Sequence, residues 1–158
     1  MGGCLRSILC KGLMKLTENF SLEELIRTGH NTTNVPDIKQ KEALKLLAEK
    51  VLQPAREMLG RPITVTSGFR SVTTNRLVGG AKTSQHLKGE AADLQCDNNQ
   101  ELFDLIKDYL EFDQLIYEHT GPTGPAWVHV SYSKKGNRGQ ILQAIKVGSR
   151  TTYLPYKL

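Results

Sequence analysis

Apolar positions change period along this chain, and each change marks a change of expected structure. Leu44, Leu47, Ala48, Val51 and Leu52 recur at helical spacing with Lys and Glu between them, which predicts an amphipathic helix over 38–59. Pro54 is expected to kink or break it, because proline lacks the N–H and crowds the preceding turn; Ala55 to Leu59 then form the last turn and Gly60 the stop. A short helix is expected after Ser21, where Ser21 and Glu24 have capping-box spacing and Phe20 precedes them as a staple residue. From Arg61 the period falls to two. Residues 62–67 (PITVTS) read as a strand with Ile63 and Val65 on one face, and 90–95 as a second. Asn98 and Asn99 open a helix over 100–110, with Leu102, Leu105, Ile106 and Tyr109 on its apolar face. Three further strands are expected at 113–118, 126–132 and 140–147, and the stretch 71–85 as a loop long enough to suggest a function. Helices first and then mostly strands, with one helix inserted, is an α+β pattern.

A chain of 158 residues, with no internal repeat, is one ordinary domain able to bury a core. No run of about 18 apolar residues occurs, so no stable membrane insertion is expected. The net charge of +5 favours an anionic partner, which could be nucleic acid, a membrane surface or an acidic polymer such as the bacterial wall. The basic runs are short and lack interleaved aromatics, which argues against nucleic acid. Cys4, Cys10 and Cys96 are odd in number and irregular in spacing, so no disulfide framework is expected. The opening MGGCLRSILCKGL fails as an export signal, since its apolar part is tiny and no small-residue cleavage site follows. As a myristoylation signal it is imperfect, with Arg6 where Ser or Thr belongs. Residues 1–13 are therefore read as an extension outside the fold and 14–158 as one domain. Such a chain is expected in the cytoplasm of the producing cell, or at the cell wall after lysis.

Candidate chemistry is concentrated in SGFRSVTTNRLVGGAKTSQHLKGEAADL (67–94) and WVHVSY (127–132). His86 and Asp93 lie seven residues apart with Gly89 between them. Val128 and Val130 flank His129 and should face the core, so His129 projects to the other side with Trp127 and Ser131. Ala92 and Leu94 do the same for Asp93. Two imidazoles and one carboxylate are a common ligand set for catalytic zinc, which keeps a fourth position open. His86, Asp93 and His129 are thus candidate Zn2+ ligands, the alternatives being hydrogen-bonded structural histidines and an aspartate that forms a turn. A hydrolytic site also needs a base, and Glu118, ending the strand before His129, is the best placed carboxylate, with His119 as a second candidate for base or oxyanion stabiliser. Arg70 can hold a carboxylate or carbonyl in two-pronged geometry. Gln85, Asn75 and Ser131 are candidates for either supporting the ligands or holding the fold.

SGFR, N-x-x-VGG, SQHLKGEAADL and WVHVS together resemble the zinc D-Ala-D-Ala carboxypeptidase family of peptidoglycan peptidases, over about residues 14–133. The resemblance implies that Ser84, His86, Gly89, Ala91 and Asp93 occupy the SxHxxGxAxD segment, with His86 and Asp93 as zinc ligands and His129 as the third. It implies a small, mostly antiparallel sheet with helices on one side, as in D-Ala-D-Ala dipeptidases and the hedgehog signalling domain. It also implies that Arg70 contacts substrate or polarises its carbonyl, and that Ser84 binds substrate or supports His86. Trp127, on the face of His129, joins them as a candidate substrate contact. Many relatives carry an acidic residue three positions before the last ligand; here that position is Ala126, and Glu118 instead matches the hedgehog-like arrangement.

Two readings follow. The first is a monomeric zinc metallopeptidase, from phage or bacterium, hydrolysing a peptide bond of the peptidoglycan stem and resembling a D-Ala-D-Ala carboxypeptidase. The second, kept open by Ala126, is a non-catalytic zinc-fold binding module or a phage structural component.

Overall fold

In a computed structural model of the chain, residues 13–121 and 124–157 are described. The expectations for residues 1–12, with Cys4 and Cys10, lie outside them. The chain enters through Met14, whose N–H donates to the Glu23 carboxylate and whose carbonyl accepts from Leu22. Ser21 caps helix α1 (Leu22–Leu25) by accepting from the Glu24 N–H.

The expected long helix forms in three pieces: α2 (Ile38–Leu47), a π turn (Ala48–Leu52) and α3 (Gln53–Leu59). The π turn answers Pro54. Proline offers no N–H and its ring crowds the carbonyl four residues back, and a wider turn just before it relieves both. Gly60 ends α3 in the left-handed region (φ 70°), as its missing Cβ permits. At the other end Asp37 and Gln40 form a capping box.

Six strands build one sheet in the order β1 (Thr64–Ser67), β2 (Ala91–Gln95), β4 (Gly124–Ser131), β3 (Gln114–Gly121), β5 (Gln140–Val147), β6 (Arg150–Pro155). This sheet is larger than expected and mixed: β3 and β5 run parallel, and the other neighbours antiparallel. The parallel pair arises because the chain leaves β4 beside Gln114, passes the start of β3 and begins β5 at Gln140. Asp113 holds that crossing. Its carboxylate accepts from the Arg138 backbone N–H (3.1 Å), Nε (2.9 Å) and Nη2 (2.7 Å).

Two short elements interrupt the expected loop 71–85 and its end: α4 (Val72–Leu77), capped by Ser71, and a 3-10 turn (Gln85–Lys88), capped by Ser84. Helix α5 (Asn99–Tyr109) starts at its Asn98 cap close to expectation. Its Leu102, Phe103 and Ile106 pack with Leu44, Leu47, Ala55 and Leu59 of the other helices onto Val65, Ala92, Leu94, Leu115, Val128 and Val130. That is one face of the sheet, chosen by strand alternation. Among the described residues, no helix is long and apolar enough to cross a membrane.

Candidate metal centre

Alternation that sends Ala92, Leu94, Val128 and Val130 into the core sends Asp93 and His129 to the other face. The register then makes these two direct partners across β2 and β4. His86 arrives from the 3-10 turn, which Ser84 opens by accepting from the His86 N–H (3.3 Å). Gly89 closes the turn at φ 73°, and a Cβ there would meet the Gln40 carbonyl at 2.5 Å. The same helix steadies the turn through Gln40, whose Nε2 donates to the Leu87 carbonyl (3.0 Å).

Three donor atoms converge. His129 Nδ1 lies 2.9 Å from Asp93 Oδ1, and His86 Nε2 lies 3.3 Å from both of them. Ligands about 2.0–2.1 Å from a tetrahedral ion stand roughly 3.3 Å apart, so the spacing suits a metal of zinc's size. His86 Nδ1 is 2.7 Å from the Gly68 carbonyl, a contact that places the proton on Nδ1 and leaves the Nε2 lone pair facing the other donors. Gly68 is needed bare, since a Cβ would strike the Leu25 carbonyl. All three ligand candidates are buried. Two imidazoles and a carboxylate packed together away from water fit a cation.

Asp93 uses its second oxygen differently. Arg70 Nη2 donates to Oδ2 (2.6 Å), and Arg70 Nε donates to Ser67 Oγ (2.8 Å). Burial pulls the Asp93 carboxyl upward, but the two imidazoles together outweigh it and hold the group far below the usual carboxylate range. Arg70 therefore reaches the expected face and is already tied to a ligand candidate there.

Glu118 projects from β3 on the same face, one row along from Ile116, the partner of His129. Burial pushes its carboxyl up to about 7; nearby Asp93 adds to this, while His129 and Arg70 oppose it. His119 follows with a positive φ (55°), unusual for a residue with a side chain. That turn breaks the alternation, so the imidazole folds back, with Nε2 3.9 Å from Glu118 Oε2 and its ring edge-on to Trp127 at 5.3 Å.

The remaining candidates serve the frame. Gln85 Nε2 donates to Asp113 (2.9 Å), linking the His86 turn to the β4–β5 crossing. Asn75 Nδ2 donates to the Ala81 carbonyl, and Ser131 Oγ accepts from the Gln114 N–H. Sequence reasoning missed Asp113 and Arg138. Arg138 and burial act oppositely on the Asp113 carboxyl, and Arg138 wins, keeping it below its ordinary value. Only tertiary register reveals that pair.

The family model for Peptidase M15 matches residues 18–131, a span holding Arg70 and all three ligand candidates. The chain belongs to that family. It is 59% identical over 44 residues to the zinc D-Ala-D-Ala carboxypeptidase of Streptomyces albus G, a stretch covering 27% of this chain. It spans only 17% of the length of that relative.

Proposed function

We propose that the protein is a zinc-dependent peptidase acting on peptidoglycan stem peptides, in the manner of a D-Ala-D-Ala carboxypeptidase, with residues 14–158 as its working unit. The observation that carries this is the 3.3 Å convergence of His86 Nε2 with Asp93 Oδ1 and His129 Nδ1, beside a buried carboxylate, in a chain of the Peptidase M15 family. His86, Asp93 and His129 would hold the ion. Zinc, when bound, supplies Lewis acidity toward the scissile carbonyl and toward water.

The chain's own groups do the rest. Glu118 takes the proton from the attacking water and returns it to the leaving amine, a role suited to a carboxyl near pH 7. His119, folded back beside Glu118, is the second candidate, as base or as donor to the developing oxyanion. Arg70 orients Asp93 with one Nη2–H, donates its Nε–H to Ser67, and offers the remaining N–H groups to a substrate carboxylate or carbonyl. Ser84 serves His86 through its oxygen, and its O–H, which donates to nothing among the described residues, can serve substrate. Trp127 lines the same face. The net charge of +5 favours approach to an anionic wall.

The test is metal analysis of the purified protein together with digestion of purified peptidoglycan, fragments being identified by mass. Stoichiometric zinc and release of D-alanine or a stem-peptide fragment are expected. Zinc without turnover on any stem peptide would favour the binding-module reading.

A further inference from the structure

Strand β6 lies past residue 131, where the family match ends. Register nevertheless brings it to the face that carries Glu118. Glu118 pairs with Ala144 on β5, and Ala144 pairs with Tyr153 on β6. On the other side Trp127 pairs with Glu118. Directly opposed residues project from the same face, so Trp127, Glu118, Ala144 and Tyr153 form one row. At strand spacings of about 4.8 Å, that row is roughly 14 Å from end to end.

Two large rings therefore stand at the ends of this row, with a carboxylate and a methyl group between them. Ala144 is fully buried although it stands on the face away from the helices, so its taller neighbours cover it. Tyr153 is 51% exposed, which leaves much of its ring open to a ligand. Among the described residues its hydroxyl has no hydrogen-bond partner, which leaves it open to water or to a ligand. Its phenol is pushed above the ordinary value by partial burial first, then by Glu118 and Asp93, with Arg70 opposing. Tyr153 thus stands in the field of the groups assigned above.

We propose that Tyr153 is a substrate contact: its exposed ring stands on the row of Glu118, on the side opposite Trp127, and its hydroxyl bonds the bound peptide. This rests on the peptidase reading for the identity of the peptide.

The experiment compares Tyr153→Phe and Tyr153→Ala in two backgrounds, the zinc-loaded protein and its Glu118→Gln form, with a synthetic stem pentapeptide ending in D-Ala-D-Ala as probe. Turnover is measured in the first and calorimetric affinity in the second. Tyr153→Phe should raise KM about 3–10-fold, the worth of one hydrogen bond, with kcat nearly unchanged. Tyr153→Ala should raise it further, and both should weaken calorimetric binding by the same factors while zinc content holds. KM and Kd within twofold of the parent in both variants would overturn the contact, and so would a change in kcat alone. Binding weakened by Tyr153→Ala in a protein that never turns over would uphold the contact and sink the peptidase reading. Absence of both turnover and binding would sink both.

Discussion

Val128 and His129 are neighbours in sequence and opposites in surroundings. Val128 lies with Leu94, Ala92, Leu115 and Val130 under the helices, packed in the apolar core. His129 lies with Asp93 and Glu118 on the reverse of the same strands, equally buried but polar. Burial on the first face stabilises the fold by removing apolar area from water. Burial on the second is tolerable only so far as each polar group finds a partner. Asp93 finds several; the Glu118 carboxylate accepts no hydrogen bond among the described residues, and burial raises its pKa. One face is built for stability, and the other holds groups whose charge is available for work.

Substitutions should separate the two faces cleanly. His129→Ala should abolish stoichiometric zinc, because two protein donors are too few for a tight site, and turnover should vanish with it. A His129→Ala protein still carrying one zinc per chain would break the comparison at its centre. Glu118→Gln should keep zinc and fold while kcat falls about 10²–10⁴-fold, the usual share of a general base. The acid limb of the parent's pH profile should lie at or below about 7, a bound cation drawing it down, and should be lost in the variant.

Leu94→Ala, one residue from Asp93 on the helical side, should cost about 2–5 kcal/mol in chemical unfolding yet leave zinc stoichiometry intact. Loss of metal there would mean that the faces are not separable. The smallest effect concerns Glu118 in chelator-treated protein. Its carboxyl binds a proton more tightly folded (about 7) than at its ordinary value of 4.5, so its contribution is fully present below 4.5 and is lost as pH rises to 7. Glu118→Gln lacks that loss. Relative to the parent it should gain roughly 1–3 kcal/mol between pH 4.5 and 7, then hold level. A flat difference across that window, read by urea unfolding, would show Glu118 to be well solvated.

Local patterns made much of this legible. Valines on either side of His129, and Ala92 and Leu94 around Asp93, point both ligand candidates to one face before any coordinates are known. The helix over 38–59 and its proline were readable too, but the π turn that reconciles them was not, since periodicity cannot show how a backbone relieves a clash. The expected loop 71–85 conceals α4, whose exposed Val72 and Leu77 do not make an amphipathic stripe. Strand β6 escaped because its residues are mostly exposed and do not alternate in hydrophobicity. A signal was there in Gly148-Ser149, the two-residue connection between the paired Val147 and Arg150, with Gly148 at φ 62°. The parallel placement of β5, and with it Tyr153, depends on the skip past β3, which no local pattern encodes.

The pairing of Asp93 with His129 across β2 and β4 also bears on how an ion would come and go. Both residues sit on inner strands, hydrogen-bonded on either side, so their separation is held by the most slowly opening part of the molecule. His86 alone is carried by a single short turn. All three donors are thus in place together, two fixed by register and the third by a turn pinned through Gln40 and Gln85. An ion would then meet one corner held by a few side-chain bonds to the turn between Ser84 and Gly89, and two held by the sheet.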